Sequence, residues 1–154
     1  MTNNLDHPVY DVAIATPLQK GIKLSLQLGF DVFLKREDLQ PIHAFKIRGA
    51  YNKIVGLSDK QKQAGVIAAS AGNHAQGVAL AAKRLKIKAT IVMPTTTPKI
   101  KIDAVKSHGA KVVLYGDSYS DCYEKAMEIC KEENLTFVHP FDDEKVIEGQ
   151  GTVA

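Results

Sequence analysis

From residue 65 onward the sequence alternates two textures at a steady interval, and this alternation restricts the fold more than any single motif does. Four short runs rich in apolar and β-branched residues, GVIAAS (65–70), KATIVMP (88–94), AKVVLYG (110–116) and LTFVHP (135–140), read as strands. Between the first two, Ala75, Val78, Ala79, Ala82 and Leu85 recur at three- and four-residue steps, which is one stripe of a helix. The spacing predicts two more helices, over 98–108 and 118–133. They end at Gly109 and Asn134, residue types that accept the left-handed conformation of a C-cap. Strand and helix in this order call for an α/β fold: a parallel sheet with right-handed crossovers and helices on both faces, three layers in all. Strands that are nearly all apolar suit a sheet covered on both sides. Before residue 65 the pattern differs, with DVFLKRE (31–37) reading as a strand and 44–57 as a helix. The final residues, DDEKVIEGQGTVA, read as the opening turns of a further helix, so the chain is expected to be a truncated, N-terminal part of a larger domain.

The totals exclude several classes of function. A hydrophobic fraction of 45% and a charged fraction of 24% over 154 residues are ordinary for a globular chain. No apolar run approaches the roughly 18 residues that a membrane span needs. The opening MTNNLDHPVY lacks the basic-then-apolar layout of a secretory leader. A cytoplasmic chain with no membrane partner is expected. The net charge of +3 is mild, and the lysines of KRLKIK (83–88) and PKIKIDAVK (98–106) have few aromatics among them. They read as solvated helix faces rather than a nucleic-acid groove. Cys122 and Cys130 fall in one helical stretch about 12 Å apart along its axis, too far for a disulfide. No C-x-x-C or H-E-x-x-H spacing occurs, so no metal is expected.

Two stretches carry candidate chemistry. In QPIHAFKIRGAYNK (40–53), Lys46 stands between Phe45 and Ile47, with Arg48 and Gly49 behind it. Either the lysine stem packs and its ammonium snorkels to water, or a partly desolvated amine with lowered pKa is held ready to form a Schiff base. The second stretch, SAGNHAQG (70–77), sits where a buried strand turns into a helix, the place where open parallel sheets bind ligands. The unpaired N–H groups at the helix start suit an anion. Gly72 allows close approach of the backbone, and Ser70 and Asn73 add side-chain donors. Residues 72–77 have the glycine spacing of a P-loop, but Val78-Ala79 stand where Lys-Ser/Thr should be, and no G-x-G-x-x-G is present. A small carboxylate, such as that of an amino acid, remains as ligand. The alternative is a tight turn with a good N-cap. Together the two stretches are what pyridoxal phosphate chemistry needs: a lysine for the cofactor aldehyde and a loop for the substrate carboxylate.

On these stretches, together with VYDVAIATPLQK, TIVMPTTTPKIKIDAVKSHGA and HPFDDEKVIEGQGTVA, nearly the whole chain closely resembles the catalytic domain of biosynthetic threonine dehydratases (threonine ammonia-lyases), pyridoxal phosphate enzymes of the tryptophan-synthase-β-like class. The resemblance implies a two-subdomain lyase fold, with 1–53 in the larger subdomain and 54–154 in the smaller. It implies that Lys46 is the catalytic lysine joined to the cofactor, and that Phe45 and Asn73 also contact the cofactor, Asn73 at the ring hydroxyl. Ser70, Ala71, Gly72, Asn73 and His74 would hold the substrate carboxylate. His74 is expected to order that loop rather than to transfer a proton, Arg48 to pair with Glu37 or Asp38 rather than to tune Lys46, and Gln150 either to approach the substrate or to pack. The implied reaction converts L-threonine, or L-serine, to a 2-oxoacid and ammonia, on the route to isoleucine, in a protein that is a homo-oligomer when full length. Two departures bear on this. Many relatives have Ser-Phe-Lys where this chain has Ala44-Phe45-Lys46. Serine racemases carry a second serine at the position of Ala71, whose methyl cannot transfer a proton, so elimination is favoured over racemisation. The family's glycine-rich phosphate loop is expected beyond residue 154, and the chain alone is expected to be inactive. The rival readings are a catabolic-type serine/threonine dehydratase and a non-catalytic α/β module.

Overall fold

The computed structural model describes residues 6–154. After a 3-10 turn at Pro8–Asp11 come β1 (Leu18–Lys20), α1 (Ile22–Leu28) and β2 (Phe33–Lys35), then a second 3-10 turn at Glu37–Leu39. The order continues with α2 (Lys46–Val55), α3 (Asp59–Ala64), β3 (Val66–Ala69), α4 (Asn73–Leu85) and β4 (Ala89–Met93). It closes with α5 (Lys99–Ser107), β5 (Lys111–Leu114), α6 (Tyr119–Glu132), β6 (Thr136–Phe137) and α7 (Glu144–Gly151). Strands β5-β4-β3-β6 form the expected parallel sheet. Two of the helices between them stop where the sequence indicates: Gly109 (φ 84°) follows α5 and Asn134 (φ 53°) follows α6.

The alternation of side chains along the two central strands builds two cores. Val66 and Ala68 of β3, with Ala89, Ile91 and Met93 of β4, face α4, α2 and Val105 of α5. Ile67, Ala69 and Val92 face the other way, onto Cys122, Ala126 and Ile129 of α6. Helices therefore cover both faces, as a period of two in strands buried on both sides requires. Cys122 and Cys130 are both free.

Two expectations need correction. β5 is not wholly buried: Lys111 and Leu114 are exposed and the two valines half-buried, because β5 is an edge of the four-stranded sheet among the described residues. The run DVFLKRE forms only a three-residue strand. It pairs antiparallel with β1 in a separate ribbon (Leu18 opposite Lys35, Lys20 opposite Phe33), with all six residues exposed.

The first core is fastened from outside by α2, which packs against α4 on one side and α7 on the other. The crossing of α2 and α7 is made by two glycines. A Cβ on Gly149 would come within 2.7 Å of the Arg48 carbonyl oxygen, and one on Gly49 within 2.7 Å of the Val146 carbonyl oxygen. A side-chain bond at this crossing comes from Gln150, whose Oε1 accepts from the Gly49 amide at 3.2 Å. That amide lies in the first turn of α2, where donors lack intrahelical partners. Arg48 is the largest side chain with no exposure. It donates from Nε and Nη2 to the two Glu37 oxygens at 2.8 Å each, from Nη2 to the Ile14 carbonyl at 3.0 Å, and from Nη1 to Thr152 Oγ1 and carbonyl at 3.2 Å. Burial alone would push the Glu37 carboxyl up, but hydrogen bonds from Arg48, Thr16 and Gln40 hold it below its ordinary value. Asp38 pairs with Arg36 instead. Arg48 and Gln150 thus tie the helix that carries Lys46 to three distant segments.

Candidate active site

The loop at 70–72 leaves the carboxyl end of β3 and enters α4, and residues 138–143 leave the carboxyl end of β6, its neighbour in the sheet. Ligands of open parallel sheets bind at this end. Lys46 is brought to it from outside the sheet. It is the first residue of α2, and Gly77 of α4 presses directly against its backbone: a Cβ there would lie 3.1 Å from the Lys46 carbonyl oxygen and 3.2 Å from its carbon. Asn73 is four residues before Gly77, on the same face of α4 and one turn nearer its N-terminus. The two sequence stretches therefore converge because a glycine in one accepts the backbone of the other.

The Lys46 side chain is half-buried. Its Nζ donates to the Pro140 carbonyl oxygen at 2.7 Å and lies 5.4 Å from the centre of the Phe45 ring. Burial pulls the amine below the ordinary lysine value, and no opposing interaction restores it. The amine thus ends on a backbone carbonyl of a distant segment. Phe45 itself is 41% exposed and lies over the same side.

The turn before α4 is built around its own backbone. Ser70 Oγ accepts from the Gly72 amide at 3.2 Å, which leaves its hydroxyl hydrogen free to donate outward. Gly72 is the N-cap and supplies no side-chain bond to α4. Among the described residues, the amides of Asn73, His74 and Ala75 have no acceptor, as the first turn of a helix requires unless a cap or ligand intervenes. A Cβ on Gly72 would meet nothing within 4 Å, so protein packing does not demand glycine there. Ala71 is half-buried, and Asn73 is exposed with its amide unbonded. Asn73 is thus neither the N-cap nor a left-handed residue. N–H groups without acceptors at the start of a helix, with the Ser70 hydroxyl and the Asn73 amide near them in sequence, are the kind of donors that suit an anion.

His74 turns inward. It is 3% exposed, and its Nε2 lies 2.9 Å from the Val138 carbonyl oxygen, to which it must donate. Its Nδ1 is buried without a partner. Burial lowers its pKa to about 4; the bond to Val138 opposes this, and the charges of Lys46 and His139 reinforce it. The ring is neutral at physiological pH and does not compete with Lys46 for charge. Its bond to Val138 ties the 70–74 loop to the segment after β6.

The segment 138–143 carries no mark in its sequence as part of the site. The ladder of β6 continues to Val138, whose amide donates to Ile67 at 2.8 Å. His139 Nδ1 then accepts from the amides of Asp142 (2.7 Å) and Phe141 (3.3 Å), curling the chain over. At the far end Asp143 caps α7 and pairs with Lys53 at 2.6 Å. Pro and two Asp in HPFDD signal a turn, but nothing local signals that its carbonyls face Lys46 and His74. Gln150 packs on α2, with no group of the 70–74 turn among its partners. Among the described residues no three His, Cys, Asp or Glu side chains gather as metal ligands, and no helix is long and apolar enough to cross a membrane. A hollow of about 570 Å³ beside α1, lined by Ile22, Leu26 and Phe30 among others, contains none of these groups.

The residues present fit pyridoxal phosphate in two respects: a lysine amine of lowered basicity for its aldehyde, and amides without acceptors, suited to a substrate carboxylate, at the start of the helix that packs against that lysine's backbone. Comparisons with known proteins agree. Residues 9–154 match the family described as pyridoxal-phosphate dependent enzyme. The chain is 57% identical over 150 residues to the biosynthetic L-threonine dehydratase of Pasteurella multocida, covering 97% of this chain and 29% of the relative. Among solved structures, the processed form of threonine deaminase isoform 2 from Solanum lycopersicum superposes with a TM-score of 0.92 at 54% identity, over 97% of this chain and 43% of that one. Maize serine racemase superposes with a TM-score of 0.91 at 36% identity, over 95% and 44%. The chain spans under a third of the length of the Pasteurella relative. On the family match over 9–154 and the fold it shares with threonine deaminase, this chain belongs to the pyridoxal-phosphate dependent enzyme family.

Proposed function

We propose that this chain supplies the amine and the carboxylate site of a threonine ammonia-lyase, which takes L-threonine to 2-oxobutanoate and ammonia. The observation that carries the proposal is the Lys46 amine, half-buried and of lowered basicity, on a backbone that packs against α4, whose first amides have no acceptor. Pyridoxal phosphate, when bound, supplies the electron sink for negative charge at the substrate Cα. Lys46 is the residue that would hold the cofactor and would take the Cα proton on Nζ; a lysine whose ammonium is disfavoured is suited to both tasks. The amides of Asn73, His74 and Ala75, with the Ser70 hydroxyl, fix the substrate carboxylate and so the direction of the Cα–H bond. Asn73, exposed beside them, is free to reach the cofactor ring, and Phe45 to shield it. The β-hydroxyl leaves as water, and hydrolysis of the remaining enamine releases ammonia.

Ala71 favours elimination over the racemase alternative, since its methyl offers no proton to the opposite face. The name of the Pasteurella relative, biosynthetic L-threonine dehydratase, favours threonine over serine and a role in amino-acid biosynthesis, here the route to isoleucine. A homo-oligomer in the cytoplasm is part of the same proposal. So is the division into subdomains near residue 53, although α2 runs unbroken through 46–55 and any hinge lies outside it. The 154-residue chain alone is proposed to be catalytically silent. The test is turnover by the full-length protein on threonine and on serine, with Lys46→Ala beside it. The proposal expects 2-oxobutanoate from threonine and none from the variant. Turnover by the variant equal to that of the wild type ends it, and faster turnover on serine than on threonine moves it to the serine dehydratases.

A further inference from the structure

Two side chains that the site needs grip one three-residue segment. Lys46 Nζ donates to the Pro140 carbonyl at 2.7 Å, and His74 Nε2 donates to the Val138 carbonyl at 2.9 Å. The residue between them, His139, folds the chain back on itself through the Phe141 and Asp142 amides. Pro140 has no N–H, so nothing on its amide side anchors it to the sheet. β6 is only two residues long, and its ladder ends at the Val138 amide. Val138 is held by Ile67 at its amide, by the core at its side chain and by His74 at its carbonyl, and the carbonyl is the anchor next along the chain to Pro140. Yet His74 is the second residue of α4, within the turn that presents the anion site.

We propose that His74 is a positioning residue for Lys46: by fixing the Val138 carbonyl it aims the Pro140 carbonyl, and thereby couples the anion-binding turn to the direction of the lysine amine. The coupling runs through the backbone of residues 138–140. It rests on the assignment of Lys46 as the reactive amine. The bare Nδ1 follows from the same arrangement, because a ring that donates from Nε2 while neutral keeps an unprotonated Nδ1. Burying that nitrogen without a donor is costly. The ring is held there for its Nε2–H, not for the comfort of its other edge. The charged groups acting on the ring are Lys46 and His139, and both disfavour a second proton on it.

The test labels the chain with pyridoxal and borohydride at pH 8 under limiting reagent and maps the modified lysines by mass, in the wild type, His74→Phe and His74→Gln. Phe keeps the volume and loses the donor; Gln places an amide N–H near the position of Nε2–H. The proposal expects labelling of Lys46 to slow about tenfold in His74→Phe, because a misdirected amine meets the aldehyde less often in reactive geometry, and to recover in His74→Gln. Labelling of the surface residues Lys60 and Lys99 stays unchanged. Fast labelling of Lys46 in both variants overturns the coupling and leaves the lysine assignment intact. Slow, unselective labelling of the wild type overturns the lysine assignment itself. Should His74→Phe not fold, imidazole 15N shifts of the wild type decide: a ring protonated on Nε2 and bare on Nδ1 upholds the proposal, and the opposite tautomer overturns it.

Discussion

Replacing Arg48 by Met removes five hydrogen bonds from a site with no solvent exposure while keeping most of the side-chain stem. The Ile14 and Thr152 carbonyls retain partners in Gln40 and Tyr10, so they are not orphaned. Glu37 is the group left exposed to the consequence. Its side chain is only 11% accessible, and Thr16 and Gln40 alone remain to hold its charge. Breaking a buried pair from one side costs about 3–5 kcal/mol, a large part of the roughly 5–15 kcal/mol that holds an ordinary domain. The sign of the pH dependence distinguishes this cause from simple loss of packing. In the wild type the Glu37 carboxyl sits below its ordinary 4.5. Its contribution is therefore complete above that value and is lost as pH falls through the lower, folded value. Without Arg48, desolvation dominates and the folded value rises above the unfolded one, so the variant gains stability as pH falls from 7 toward 5. Urea unfolding at pH 7 and pH 5 measures both. A loss under about 1 kcal/mol, or an unchanged pH slope, refutes the reasoning, and Arg48→Met with Glu37→Met should recover much of the loss.

Three further outcomes follow from close contacts and open space. Gly149→Ala forces a methyl to within 2.7 Å of backbone at the α2–α7 crossing and should cost about 1–3 kcal/mol, whereas Gly151→Ala, with nothing within 4 Å, should be neutral or stabilise by up to about 1 kcal/mol; thermal unfolding separates them. Gly77→Ala meets the Lys46 carbonyl at 3.1 Å, so it should slow borohydride labelling of Lys46 more than it lowers the melting temperature. Gly72→Ala should leave stability within about 0.5 kcal/mol, since its Cβ meets nothing, but weaken substrate binding in the full-length protein by obstructing the amides of 73–75, seen as a raised KM.

What the sequence reveals and what it hides divide by range. The parallel sheet is legible because strand and helix periodicities alternate in register with Gly109 and Asn134. Lys46 and the 70–74 turn are legible as candidate chemistry because each is a local pattern of few residues. The segment around α1 is not. Ile22, Leu24, Leu26 and Leu28 alternate as a strand would, yet they form a helix whose four large side chains are all exposed. The end glycines decide this: the Gly21 carbonyl accepts from Ser25, and Gly29 closes the helix at φ 75°. The Pro140 carbonyl is equally hidden, because it lies 94 residues from Lys46, and a backbone acceptor leaves no mark in side-chain pattern. β6 shrinks to two residues because the chain turns at His139-Pro140 to reach that position.

The central claim concerns one amine, and chemical trapping reads it directly. Pyridoxal phosphate added to the 154-residue chain at substoichiometric concentration, reduced with borohydride and mapped by peptide mass, should mark Lys46 ahead of every solvent-exposed lysine, because it alone combines burial with an unopposed fall in basicity. Label spread evenly across the lysines of α5 and the 83–88 stretch, with Lys46 no richer than they are, contradicts the account.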